Sequence, residues 1–131
     1  MSDKPSLLGL RLLVVEDEAM VAMMVEDMLM EMGCVVVDVA GTVSRGLALA
    51  GDADLALDGA ILDVNLGGEK VYPVAQALAA RRVPFVFSTG YGQAGIAPDF
   101  IHVPVLSKPY ERRVLESLLL TTMAPQAPPG A

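Results

Sequence analysis

The chain has 131 residues, 53% hydrophobic and 19% charged, a composition that builds one globular domain with a real core and excludes a wholly disordered chain. Its net charge of −7 argues against nucleic acid and against anionic membrane as partners, since both are bound through basic faces. Cys34 is the single cysteine, which excludes an intrachain disulfide or a cysteine-built metal cluster and reads as a buried structural thiol.

The first residues carry no apolar segment followed by a small-residue cleavage site, and no stretch reaches the length of a membrane span, so a cytoplasmic protein is expected. Leu12-Leu13-Val14-Val15 reads as a first strand ending in Glu16-Asp17-Glu18. Residues 19–32 follow at helical spacing, stopped by Gly33. On that helix Met20, Val21, Met24, Val25, Met28 and Met32 share one face and are expected to cover the sheet, leaving Met23 and Met30 outside with Glu26 and Asp27. Val35-Val36-Val37 is a β-branched strand, and Thr42 is placed to cap a short helix running to residue 50. Ala60-Ile61-Leu62 leads into Asp63 as a third strand.

Residues 70–82 read as a helix with Pro73 in its first turn, 84–87 as a fourth strand, 103–106 as a fifth, and 110–120 as a closing amphipathic helix. The segment 90–99 holds three glycines and Pro98 and is weakly helical at best. The expected division is an N-terminal extension over 1–8, a folded domain over 9–121 and a disordered tail over 122–131, with no effector domain after it. Apolar strands alternating with helices predict an α/β fold, a doubly wound parallel sheet covered on both faces, with functional groups at the carboxyl ends of the strands.

Those ends carry Glu16-Asp17, Asp63 with Val64-Asn65 behind it, Ser88-Thr89-Gly90, and Ser107-Lys108-Pro109. Two like charges about 4 Å apart repel by about 1 kcal/mol in water and about 4 kcal/mol at an effective dielectric of 20. Three carboxylates and one lysine therefore call for a divalent cation, and a few hard oxygen ligands completed by water favour Mg²⁺. A hydroxyl and a lysine facing the metal suit a transient anion, a phosphoryl group neutralised by Lys108 and bonded by Thr89. Asp63, at the end of the central strand, is the acid placed to carry it, and Ser88 is a second candidate for the inward hydroxyl.

In this order on five βα units, Glu16-Asp17, Asp63, Thr89 and Lys108-Pro109 resemble the receiver domain of two-component response regulators, a CheY-like, flavodoxin-like fold with strand order 2-1-3-4-5. The resemblance spans residues 9–121. It implies Asp63 as phosphoacceptor, Glu16, Asp17, Asp63 and the Asn65 backbone carbonyl as Mg²⁺ contacts, Thr89 as the phosphate-sensing hydroxyl, Lys108 as the charge partner, and a cis peptide before Pro109. It also implies a sensor histidine kinase or histidine phosphotransfer protein as donor, a downstream protein partner, and no enzyme turnover beyond the domain's own phosphorylation and dephosphorylation. Phe87-Ser88-Thr89-Gly90-Tyr91 looks like the Phe-Ala-Thr-Gly-Tyr signature of one receiver subgroup, with Ser88 in place of alanine.

The Gly90-Tyr91-Gly92-Gln93-Ala94-Gly95 run also spells a dinucleotide-binding fingerprint. That reading fails, because the run should open a helix, and an acid should end the next strand where Ser107-Lys108 stand. Most receivers carry an aromatic three residues before the lysine; here it is Val105, and Tyr91 is the candidate substitute. The rivals are a receiver that binds partners without being phosphorylated, which Val105 keeps alive, and a Mg²⁺-dependent aspartyl phosphatase. The phosphatase needs a second aspartate where this chain has Asn65. His102, a lone loop histidine, is expected to face solvent. The exposed Met23 and Met30 are candidates for a kinase-docking surface.

Overall fold

A computed structural model describes residues 7–90 and 95–123. In chain order its elements are β1 (Arg11–Val15), α1 (Ala19–Glu31), β2 (Val35–Ala40), α2 (Val43–Ala50), β3 (Gly59–Asp63), β4 (Asn65–Leu66), β5 (Glu69–Lys70), α3 (Tyr72–Ala80), β6 (Phe85–Thr89), a 3₁₀ turn (Pro98–Phe100), β7 (Val105–Ser107) and α4 (Arg112–Thr122). Five strands form one sheet in the order β2-β1-β3-β6-β7, every neighbouring pair parallel. Leaving out the small β4–β5 hairpin, this is the expected 2-1-3-4-5 order.

The strands are apolar without alternation because both faces are covered. Successive side chains point to opposite faces. Leu12, Val14, Ile61, Val86 and Leu106 therefore pack against Val25 and Leu29 of α1 and Leu115 and Leu119 of α4. Leu13, Val15, Ala60, Leu62 and Phe87 pack on the other side with Val43 and Ala50 of α2 and Val74 and Leu78 of α3. All three phenylalanines of the chain, Phe85, Phe87 and Phe100, gather there with Tyr72. Tyr72 stacks on Phe100 at 5.3 Å between ring centres, its hydroxyl accepts from Ala97 N–H at 2.9 Å, and it donates to the Gly95 carbonyl at 3.1 Å. That fastens the 95–100 segment to α3, and no α-helix forms there among the described residues.

Four sequence expectations are corrected. The covered face of α1 is Ala22, Val25 and Leu29, with Val21, Met28 and Met32 at its flanks, whereas Met20 is 80% exposed and Met24 45%. The helix is turned by about a quarter turn from the methionine stripe, at roughly 100° per residue. Small Ala22 lets it approach the sheet, and methionine tolerates the surface.

Residues 65–70, expected as a loop running into a helix, form a hairpin, so Lys70 lies on a strand and α3 begins only at Tyr72, with Pro73 in its first turn. The last strand of the sheet begins at Val105 rather than at residue 103, because Val103 N–H is used in a turn to the Phe100 carbonyl and Pro104 has no N–H. The closing helix runs over Arg112–Thr122, two residues later than the apolar spacing suggests. Thr42 caps α2 as expected, accepting from Arg45 N–H at 3.1 Å.

No described helix is long and apolar enough to cross a membrane. Cys34 is buried, its thiol directed at the Leu7 carbonyl at 3.6 Å and pushed up in pKa by burial.

Candidate functional site

β1 and β3 are neighbours, as are β3 and β6, so parallel register carries their carboxyl ends to one edge of the sheet. Asp63 lies opposite Ser88, and Lys108 N–H donates to the Thr89 carbonyl at 3.1 Å, extending the ladder one residue beyond β7. Glu16, Asp63, Ser88 and Thr89 are the buried polar residues of the described chain. A cleft of 590 Å³ opens at Asp63, lined also by Glu18, Asn65, Lys70, Gly90 and Lys108.

Lys108 is the centre of the electrostatics. Its ammonium donates to Asp63 Oδ2 at 3.0 Å, lies 2.9 Å from Glu16 Oε1, and reaches Glu18 Oε1 at 4.0 Å. Desolvation lowers its pKa, but the carboxylates of Glu16 and Asp63 outweigh that and raise it, so the lysine stays charged. Glu16 is pushed up from 4.5 to about 7, first by burial and next by Asp63 beside it, against the pull of Lys108. The contact between Lys108 and Glu16 Oε1 has an ion pair's distance without a hydrogen bond's geometry, which leaves Oε1 a buried oxygen with no hydrogen-bond donor. The Lys108 ammonium already engages that oxygen electrostatically, and a divalent cation would engage it further.

Glu16 Oε2 accepts from Glu18 N–H at 3.1 Å, which organises the turn into α1. Asp17 is not the helix cap; Glu18 holds that position and makes no side-chain cap bond. Instead Asp17 Oδ2 accepts from Gly67 N–H at 2.9 Å, joining the β1–α1 turn to the hairpin. Carboxylate oxygens of Glu16, Asp17 and Glu18 lie within 4.8 Å of one another, an all-oxygen donor set that suits a hard cation such as Mg²⁺. Glu18 was not among the expected contacts, although it directly follows Asp17 in sequence.

Asn65 N–H donates to Asp63 Oδ1 at 3.3 Å. Ser88 does not serve as the inward hydroxyl: its Oγ accepts from the buried Tyr110 hydroxyl at 2.7 Å. Burial is the main reason the Tyr110 pKa rises to about 12, so it remains a donor. The Lys108–Pro109 peptide is cis. Val105 is half-buried, opposite Phe87 and packed against the aromatic cluster, and His102 is exposed. Tyr91 lies outside the described residues.

Sequence reasoning missed Lys70, which lines the cleft and donates to Asn65 Oδ1. The only signal was the Gly67-Gly68 turn dipeptide itself, because the flanking Asn65-Leu66 and Glu69-Lys70 are mostly residue types that are poor in strands.

Comparison with solved structures gives close likenesses. SdrG from Sphingomonas melonis Fr1, in solution, is 43% identical over 91% of this chain and 96% of its own, with a TM-score of 0.73. A BeF3-activated conformation of SdrG, from Pseudomonas melonis Fr1, is 45% identical over 85% of this chain and 94% of its own, with a TM-score of 0.70. The response regulator PhyR from Brucella abortus is 25% identical over 90% of this chain but 49% of its own, with a TM-score of 0.74. No family model and no curated protein matches the sequence.

Proposed function

The chain belongs to the response-regulator receiver family, and from that premise we propose that it accepts a phosphoryl group on Asp63 from a phosphohistidine of a kinase or phosphotransfer protein. The observation that carries this reading is the Lys108 ammonium, 3.0 Å from Asp63 and 2.9 Å from Glu16 at the carboxyl end of the central strand. An Asp63 carboxylate oxygen forms a bond to phosphorus while the phosphorus–nitrogen bond breaks. The histidine nitrogen keeps that electron pair. Lys108 offsets the charge on the phosphoryl oxygens, and the buried Thr89, at the end of the adjacent strand, bonds one of them. Glu16, Asp17, Asp63 and the Asn65 carbonyl are the residues that would hold Mg²⁺, whose charge supplies further neutralisation of the phosphoryl oxygens. The resulting acyl phosphate biases the surface built from β6, β7 and α4 toward a downstream protein partner.

The protein is then a stoichiometric acceptor rather than a turnover enzyme. An aspartyl phosphatase needs an acid at position 65, and the Asn65 amide oxygen is already engaged by Lys70. Intact mass after incubation with Mg²⁺ and acetyl phosphate tests the reading. A single phosphoryl adduct is expected, absent in Asp63→Asn and absent with chelator. No adduct on the wild type, together with an NMR spectrum unmoved by beryllofluoride, would favour the partner-binding module that is never phosphorylated.

The donor's docking surface belongs to the same proposal. Met23 and Met30 are 62% and 63% exposed, and Met20 and Met24 of the same helix are exposed as well. Changing Met23 and Met30 to lysine is expected to slow transfer from the cognate phosphodonor protein while labelling by acetyl phosphate continues at the wild-type rate. Equal loss with both donors would rule the surface out.

A further inference from the structure

Lys70 stands on the far strand of the β4–β5 hairpin, directly opposite Asn65 in antiparallel register. Directly opposed residues project from the same face, with Cβ atoms about 4.5–5.5 Å apart. Lys70 Nζ accordingly donates to Asn65 Oδ1, while Asn65 N–H donates to Asp63 Oδ1. The turn of the hairpin is Gly67-Gly68, with φ of 55° and 89°, and its Gly67 N–H is held by Asp17. Register and anchoring together bring Lys70 into the lining of the cleft that contains Asp63 and Lys108.

The two lysines of that cleft are differently engaged. Lys108 shares its charge between two carboxylates at 2.9 and 3.0 Å. Lys70 bonds a neutral amide oxygen, and among the described residues no carboxylate lies within ion-pair distance of it. An ammonium held in place by a neutral acceptor keeps its charge for an incoming anion. Exchanging that acceptor for a phosphoryl oxygen gives a charge-assisted bond in place of a neutral one.

Resting on the reading of Asp63 as phosphoacceptor, we infer that Lys70 is a second anion-binding residue of this cleft, meeting the phosphoryl oxygens of the incoming phosphodonor. With acetyl phosphate, an Asp63 carboxylate oxygen bonds to phosphorus, the phosphorus–oxygen bond to the acetyl group breaks, and acetate leaves with the electron pair. Lys70 keeps its protons throughout and acts as a charge and a donor.

The experiment is the rate of Asp63 labelling against acetyl phosphate concentration for wild type, Lys70→Gln and Lys70→Arg, at low and at 0.5 M added salt, where the Debye length is about 4 Å. Lys70→Gln is expected to raise the half-saturating concentration on the order of three- to tenfold with a smaller change in the plateau rate, as for loss of one charged contact to a bound anion. Lys70→Arg recovers most of the loss, and added salt narrows the gap between wild type and Lys70→Gln. Half-saturation in Lys70→Gln equal to wild type overturns the inference while leaving Asp63 as acceptor. A loss that neither arginine recovers nor salt narrows also overturns it, since it would mark a structural role for the side chain. A wild type that takes no label at all overturns both this inference and the function on which it rests.

Discussion

Glu16 and Lys108 show how single side chains set the chemistry of the site. Burial and the neighbouring Asp63 favour the protonated form of Glu16, raising its pKa to about 7 from 4.5. Between those two values the native chain binds more protons at this residue than the unfolded chain, so its contribution to stability falls as pH rises. In chelator, the melting temperature is therefore expected to decline from about pH 5 to about pH 7.5, and Glu16→Gln should flatten that decline when followed by circular dichroism. A wild-type profile that rises over this window would refute the assignment. That Glu16, Asp63, Thr89 and Lys108 come together at one sheet edge was legible at this scale, because each stands at the end of a largely apolar run. Glu18 and Lys70 were not, since nothing in a one-dimensional pattern says which exposed charges border a cleft. Ser88 was ambiguous for a different reason: only its contact with Tyr110, 22 residues away, tells which way its hydroxyl points.

At the scale of elements, the β4–β5 hairpin is the piece that sequence periodicity misread. Two residues per strand are too few to show alternation, and Lys70 was absorbed into the following helix. Its geometry depends on Gly68, whose φ of 89° is a left-handed conformation that a side chain resists. Gly68→Val is expected to cost about 1–2 kcal/mol in urea unfolding. It should also slow Asp63 labelling, because the hairpin carries Asn65 and Lys70. Unfolding and labelling both indistinguishable from wild type would show that the turn tolerates a branched residue. The rotation of α1 has a similar origin. Helical spacing was read as a face of Met20, Val21, Met24, Val25, Met28 and Met32, whereas the residues covered are Ala22, Val25 and Leu29. Packing chose the latter, since small Ala22 permits close approach to the sheet, and left a methionine-rich surface.

Across the whole molecule, a phosphoryl mimic that binds the folded state alone must stabilise it. Beryllofluoride with Mg²⁺ at a hundred times its dissociation constant is expected to add about 2.7 kcal/mol, read as a rise in melting temperature that Asp63→Asn abolishes. An equal rise in Asp63→Asn would place the ligand elsewhere. The sequence by itself determined the alternation of strands and helices, the parallel sheet and the charged residues at its strand ends. Those features follow from local periodicity and from the rule that apolar runs without alternation are buried on both faces. Only the tertiary structure decided the phase of α1, the hairpin between β3 and α3, the pairing of Ser88 with Tyr110 and the company of Lys70. Each of these depends on contacts between residues distant in sequence or on a choice between competing local patterns, and close packing of the folded chain is what settles such choices.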